Sequence, residues 1–198
     1  MTASSDLHVI VLAAGASTRF GAPKQLARIQ GVPMLQLALS HAQSLAGHAV
    51  SVVIGANAAQ IAPALAHSSV TVVINRGWAE GLAASIRAGI ERLPGQCAGA
   101  LLLLADQCAV TSADLQRLAD VWHRDRLAIV AAQYGDGWGV PAIFPRRSFP
   151  ALLALRGELG ARALLHHPIG RRVGVPMPNA AIDIDTVQDL QAQARMPL

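Results

Sequence analysis

The sequence predicts an α/β fold with a mostly parallel sheet and helices on both faces. Two observations predict it. Apolar runs of strand length alternate with longer stretches of helical period from residue 8 to residue 132, the rhythm of repeated βα units. The run "GALLLLA" (99–105) is continuously hydrophobic, as expected of a central strand covered on both faces.

Taken in order, "HVIVLAA" (8–14) is a first strand. "VPMLQLALSHAQSL" (32–45) is a helix with Pro33 in its first turn, where a missing N–H costs nothing. "AVSVVIG" (49–55) is a second strand, and "NAAQIAPALAH" (57–67) a short helix with Asn57 placed to cap it. "VTVVIN" (70–75) is a third strand, followed by "GLAASIRAGIERL" (81–93), a helix with Leu82, Ile86 and Ile90 along one side. The fourth strand leads into "TSADLQRLADVWHRD" (111–125), which Thr111 or Ser112 would cap, and "LAIVAA" (127–132) is a fifth strand. Beyond Tyr134 the rhythm changes: a glycine-rich "YGDGWGVPAIF" (134–144) enters a short strand, and two short helices are expected near 146–155 and 158–167. A strand at 171–176 and a last helix from about Thr186 complete the pattern, with no linker or internal repeat.

Composition narrows the function. Of 198 residues, 53% are hydrophobic and 14% charged, which excludes a disordered chain. One domain over residues 1–198 is expected. A net charge of +4 without a basic run or an aromatic platform argues against nucleic acid as a partner. Cys97 and Cys108 lack paired zinc spacing and read as small buried hydrophobes, Cys108 also as the neighbour of a site. No signal peptide is read in "MTASSDLHVI", and no apolar run is long enough for a bilayer. A cytoplasmic protein without a membrane partner is expected.

Ligands of open α/β sheets bind outside the carboxyl ends of the strands, and three chemically loaded stretches fall at such places. The first strand runs into "AAGASTRFGAPK". It matches neither G-x-G-x-x-G nor the Walker loop, yet it shares their physics: small residues let backbone N–H groups approach phosphate oxygens, and Arg19 and Lys24 add positive charge. Lys24 is the sole lysine against fifteen arginines, which suggests a position suited to a compact ammonium and not a planar guanidinium. The fourth strand ends in "LLLLADQCAV", placing Asp106 as a loop-fixing residue or as a hard oxygen ligand for a divalent cation. Near the end, "NAAIDIDTVQDL" carries Asp183 and Asp185 on one face if extended, with Thr186 as a further cap; one aspartate caps the last helix, alone or while the other reaches a metal. The seven histidines are scattered, and His166–His167 reads as a helix end.

"LAAGASTRFGAPK" resembles the L-A-[AG]-G-x-S-x-R-[MF]-G-x-x-K signature of nucleotidyltransferases, particularly the molybdenum cofactor group. "NRGWAEGLAASIRAG" (75–89), "LLLADQC" (102–108), "GVPAIF" (139–144), "GELGAR" (157–162) and "IDIDTVQDL" (182–190) are similar to its cytidylyltransferase branch, in order along nearly the whole chain. The resemblance implies a Rossmann-like, three-layer domain of the nucleotide-diphospho-sugar transferase kind. It implies transfer of a nucleoside monophosphate from a triphosphate to the terminal phosphate of molybdopterin, with release of pyrophosphate. Carried over by position, Leu12, Ala13, Ala14 and Gly15 would contact base and ribose, and Ala16, Ser17, Arg19 and Lys24 the triphosphate. Asn75, Gly81 and Ser85 would form a second nucleotide-facing motif. Asp106 with Asp185, Asp183 or both would hold Mg²⁺, and Arg19, Lys24 and Asp106 would carry the catalysis. Ala14, where guanylyl-transferring relatives show glycine, points to CTP, although one methyl group discriminates by only about 1–3 kcal/mol. A molybdenum hydroxylase receiving the product is the partner the family suggests.

Two positions depart from the family pattern: Cys108 replaces a proline, and Val140 a histidine in the region expected to face the acceptor. Other functions stay open at this point: guanylyl transfer to the same cofactor, nucleotidyl transfer to a sugar phosphate or another small phosphate, or a non-catalytic nucleotide- and cofactor-binding chaperone.

Overall fold

The computed structural model describes residues 6–158, 160–166 and 170–193. Seven strands form one sheet: β1 (Leu7–Ala13), β4 (Val50–Ile54), β5 (Thr71–Ile74), β6 (Gly99–Leu104), β7 (Ile129–Tyr134), β8 (Gly137–Pro145) and β9 (Arg172–Pro176). Two further short strands, β2 (Arg28–Ile29) and β3 (Val32–Pro33), make a separate antiparallel ribbon that the sequence pattern did not reveal. The helices are α1 (Met34–Ala46), α2 (Ala58–Leu65), α3 (Leu82–Glu91), α4 (Ser112–Arg124), α5 (Phe149–Leu153), α6 (Arg162–His166) and α7 (Val187–Gln193). His167 lies outside the described residues. Among the described residues, no helix is long and apolar enough to cross a membrane.

The strand order is β5-β4-β1-β6-β8-β7-β9. Only β8 runs against the others, pairing antiparallel with both β6 and β7. The chain proceeds from β1 outward to β4 and β5 and then returns to β6 on the other flank of β1. That reversal opens a crevice at the carboxyl ends of β1 and β6, where ligands of such sheets are bound.

Period-two alternation builds two cores. Val9 and Val11 of β1 join Leu101 and Leu103 of β6 on the face covered by Leu39 of α1 and Leu115 and Trp122 of α4. Ile10 and Leu12, pointing the other way, join Leu102 on the face covered by Ile86 and Ile90 of α3 and Leu152 of α5. Gly99 is required at the base of β6, because a Cβ there would lie 2.5 Å from the Trp122 ring. β8 is longer than the short strand expected. A two-residue turn with Gly135 at φ 54° folds it back on β7, a hairpin signal present in "YGDG".

Two helices near the crevice begin with the same device. Thr111 accepts from the Asp114 amide at 3.3 Å, while Asp114 accepts from the Thr111 amide at 2.9 Å. Thr186 and Asp189 repeat the exchange ahead of α7, at 3.2 and 2.8 Å. Thr186 therefore starts the last helix, and neither Asp183 nor Asp185 is used as its cap. Asn57 stands at the N-cap position of α2 without capping it; its side chain donates instead to the Ala16 carbonyl at 3.4 Å.

Burial alone would raise the Asp114 carboxyl. Hydrogen bonds from the Thr111 backbone, Asn179, Arg117 and the Thr111 hydroxyl override it and hold Asp114 below the usual carboxylate range. Its stabilising contribution is thus present above the unfolded-state pKa and is lost as pH falls through the lower folded-state value. Asp114→Ala should cost about 2 kcal/mol at neutral pH, the sum of a lost cap and lost hydrogen bonds. In urea unfolding the gap between variant and parent should close as the pH drops below about 4; a gap independent of pH would show that Asp114 stabilises by packing alone.

Candidate active site

A cleft of about 530 Å³ opens at the reversal point. The loop after β1 forms one wall. Its shape depends on Gln25, a buried residue whose Nε2 donates to the carbonyls of Ala13 and Gly15, both at 3.0 Å. Ser17 takes up a left-handed conformation at φ 57° and donates its hydroxyl to Gln25 Oε1 at 3.3 Å. The Ser17 hydroxyl in turn accepts from the Lys24 amide at 3.2 Å, so the glycine-rich loop is folded back on the turn that carries the lysine. Phe20 and Gly21 both donate their amides to the Ser17 carbonyl.

Lys24 Nζ donates to Asp106 Oδ2 at 2.6 Å, Asp185 Oδ1 at 2.8 Å and the Ile184 carbonyl at 3.0 Å. Its side chain is only 15% exposed. Arg19, far more exposed, reaches the other oxygen of Asp185 at 2.7 Å. Burial by itself would lower the Lys24 ammonium; the Asp106 and Asp185 carboxylates outweigh it and hold it above its ordinary value. Asp185 is held below its own range, chiefly by the bond from Lys24. Asp183 behaves oppositely: desolvation, then the charges of Asp106 and Asp185, push it up to about 6 despite its solvent-facing edge.

Two elements hold the acidic segments in place. Ile184, itself buried, donates its amide to the Asp106 carbonyl at 3.3 Å. Buried Gln107 donates to the carbonyls of Val140 at 2.9 Å and Ala180 at 2.8 Å. Gln107 thereby joins the end of β6 to β8 and to the C-terminal segment. Cys108 is buried beside them, its thiol pushed up to about 12 by burial and by Asp106, so it supplies no thiolate.

The sequence-predicted residues Leu12, Ala13, Ala14, Gly15, Ala16, Ser17, Arg19, Lys24, Gly81, Ser85, Asp106 and Asp185 line the cleft. Asn75 and Asp183 do not. Asn75 sits behind the wall, donating to the Ser85 hydroxyl at 3.1 Å and accepting from the Gly77 amide at 2.9 Å. Gln25, Gln107, Trp78 and Glu158 escaped the sequence reading. Trp78 and Glu158 lay within quoted motifs, whereas the glutamines act by satisfying backbone carbonyls that only the folded loops bring together.

Among the described residues, no group of three or more His, Cys, Asp or Glu is gathered to hold a metal. The donor set nevertheless fits a hard divalent cation assisted by phosphate oxygens. Asp106 Oδ1 is buried without a hydrogen-bond partner among the described residues, and Asp185 supplies a second carboxylate. Lys24 now neutralises both.

The chain matches the family described as "MobA-like NTP transferase domain" over residues 9–173. It belongs to that family. It is therefore a nucleotidyltransferase. No curated protein matches the chain. Rv0371c from Mycobacterium tuberculosis is similar over 98% of this chain and 100% of its own, with 30% identity and a TM-score of 0.84. A manganese complex of that protein shares 30% identity and a TM-score of 0.80, covering 96% of this chain and 99% of the other. At the level of fold alone, molybdopterin-guanine dinucleotide biosynthesis protein A from Archaeoglobus fulgidus matches with a TM-score of 0.69 and 15% identity, over 94% and 96% of the two chains.

Removing Lys24 would leave Asp106 and Asp185 free to bind a cation. Lys24→Ala should raise the affinity of the nucleotide-free protein for Mn²⁺ roughly tenfold, because one competing positive charge is removed. Titration followed by Mn²⁺ electron paramagnetic resonance measures this; an unchanged affinity would show that these carboxylates are not the donors.

Proposed function

We propose that the protein is a divalent-metal-dependent cytidylyltransferase that joins CMP from CTP to a molybdopterin-type phosphate. The observation that carries the reading is Lys24, held between Asp106 and Asp185 in the cleft beyond β1 and β6. It joins a cation suited to phosphate oxygens to two oxygen ligands suited to a metal, with no competing Ser–His–Asp or Cys–His arrangement read in the sequence.

In the proposed reaction, an oxygen of the acceptor's terminal phosphate bonds to the α-phosphorus of CTP while the bond from that phosphorus to the β-bridging oxygen breaks. Pyrophosphate leaves with the electron pair. An acceptor already present as a phosphate dianion has no proton to lose, so the chain need not supply a general base. Among the described residues, no hydrogen bond engages the N–H groups of Gly15, Ala16 and Ser17, leaving them available to phosphate oxygens. Lys24 would exchange carboxylate oxygens for those of the departing pyrophosphate, and Arg19, exposed at the rim, would add a second charge. Mg²⁺, when bound by Asp106 and Asp185 with Asp183 nearby, would neutralise charge on the phosphates.

Ala14 supports the preference for CTP. It is among the residues lining the cleft, where a methyl group in place of a hydrogen would narrow the space for a purine. The molybdopterin acceptor rests on the sequence resemblance. Handing the product to a molybdenum hydroxylase and working in the cytoplasm belong to the same proposal.

Pyrophosphate release with Mg²⁺ and molybdopterin, compared across CTP, GTP, UTP and ATP, tests it. Release should require molybdopterin, favour CTP, and fall at least a hundredfold in Lys24→Ala and Asp106→Ala, the scale of losing one transition-state charge contact. A preference for GTP would replace cytidylyl by guanylyl transfer. Turnover with a sugar phosphate and none with molybdopterin would overturn the acceptor.

A further inference from the structure

One wall of the cleft has no part in the chemistry above. Among the described residues that line the cleft, Trp78 is the only aromatic one, and it is 38% exposed. Its placement is enforced from behind: a Cβ on Gly55 would lie 2.7 Å from the Trp78 Cβ and 2.8 Å from the Ala14 carbonyl oxygen. Glycine at position 55 thus lets the Trp78 backbone close on the loop after β1. The short 3-10 turn Trp78–Glu80 is pinned by Arg87, which donates to the Glu80 carboxylate and, at 2.8 Å, to the Leu155 carbonyl.

The second of those bonds ties the same unit to the segment bearing Glu158. The Glu158 carboxylate lies over the Cα of Gly81, where an added Cβ would meet its Cδ at 2.7 Å and its Oε1 at 2.8 Å. Gly157 anchors the segment by accepting from the Ala83 amide at 3.1 Å. Among the described residues, no hydrogen bond or ion pair engages the Glu158 carboxylate. An ionised carboxylate only accepts hydrogen bonds, and it repels phosphate. The triphosphate therefore belongs at the Lys24–Arg19 end, and the Trp78–Glu158 end is left for the uncharged ring of the substrate.

We infer that Trp78 and Glu158 are specificity-determining residues that read the nucleobase: the indole stacks on its face, and the carboxylate accepts from an exocyclic amino group. This rests on the proposed cytidylyl transfer and deepens it. Cytosine presents an amino donor at the position where uracil presents a carbonyl acceptor, so the pairing selects CTP over UTP by attraction in one case and acceptor–acceptor repulsion in the other.

The test is calorimetric titration of the full chain, in Mg²⁺, with CTP, UTP and inorganic tripolyphosphate. Trp78→Phe, Trp78→Ala and Glu158→Gln are compared with the parent, and circular dichroism verifies folding. Trp78→Ala should weaken CTP roughly tenfold or more, the scale of one lost stacking contact, while tripolyphosphate binds as before; Trp78→Phe should retain most of the CTP affinity. Glu158→Gln should bring the CTP-to-UTP affinity ratio toward one. If the parent and a folded Trp78→Ala bind CTP equally, or if the ratio is unmoved in Glu158→Gln, the inference is overturned while nucleotide binding stands. If the parent binds tripolyphosphate and neither nucleotide, or none of the three, the proposed cytidylyl transfer in this cleft is overturned, and the inference with it.

Discussion

The contact on which the site depends is the ammonium of Lys24 between Asp106 and Asp185. Three segments far apart in the chain meet there: the loop after β1, the end of β6, and the stretch before α7. Without that cation the two carboxylates would stand as like charges with part of their hydration removed, which is unfavourable. Asp183 lies beside the pair and is pushed up to about 6, first by desolvation and then by the charges of Asp106 and Asp185.

A point charge suits this place for a geometric reason. An ammonium has three donors on a flexible stem, and all three are used, on two carboxylates and one carbonyl. In the proposed reaction the same three donors would donate to phosphate oxygens, without the fixed fork of a guanidinium. Arg19 is the complement, a mostly exposed guanidinium at the rim holding the outer oxygen of Asp185. Buried and exposed cations thus divide the same acidic pair.

Around this contact the scaffold is held by residues with no chemical glamour. Gln25 satisfies two carbonyls of the β1 loop, and Gln107 satisfies one on β8 and one beside the C-terminal segment. Asn179 donates to Asp114 and to the Ala109 carbonyl, both at 2.7 Å, fastening the start of α4 to that same segment. Because Thr186 and Asp189 cap α7 between themselves, Asp185 keeps its carboxylate for Lys24 and Arg19. Polar satisfaction at the periphery lets the charged side chains at the centre pair with one another.

The sequence by itself determined the alternation of strands and helices, the burial of "GALLLLA", and the clustering of small residues, Arg19 and Lys24 after the first strand. Each of these is local: periodicity and turn chemistry act over a few residues. It also marked Asp106 and Asp185 as belonging near that loop, through motif resemblance. Only the tertiary structure decided that β8 runs against its neighbours, that Asn75 supports the wall from behind, and that Lys24 is held by carboxylates. It likewise brought Trp78 and Glu158 to one wall through α3, although they stand in separate motifs. These are long-range pairings, set by strand order and by which carbonyls need a donor once the loops are packed. No pattern in a short window of residues encodes them.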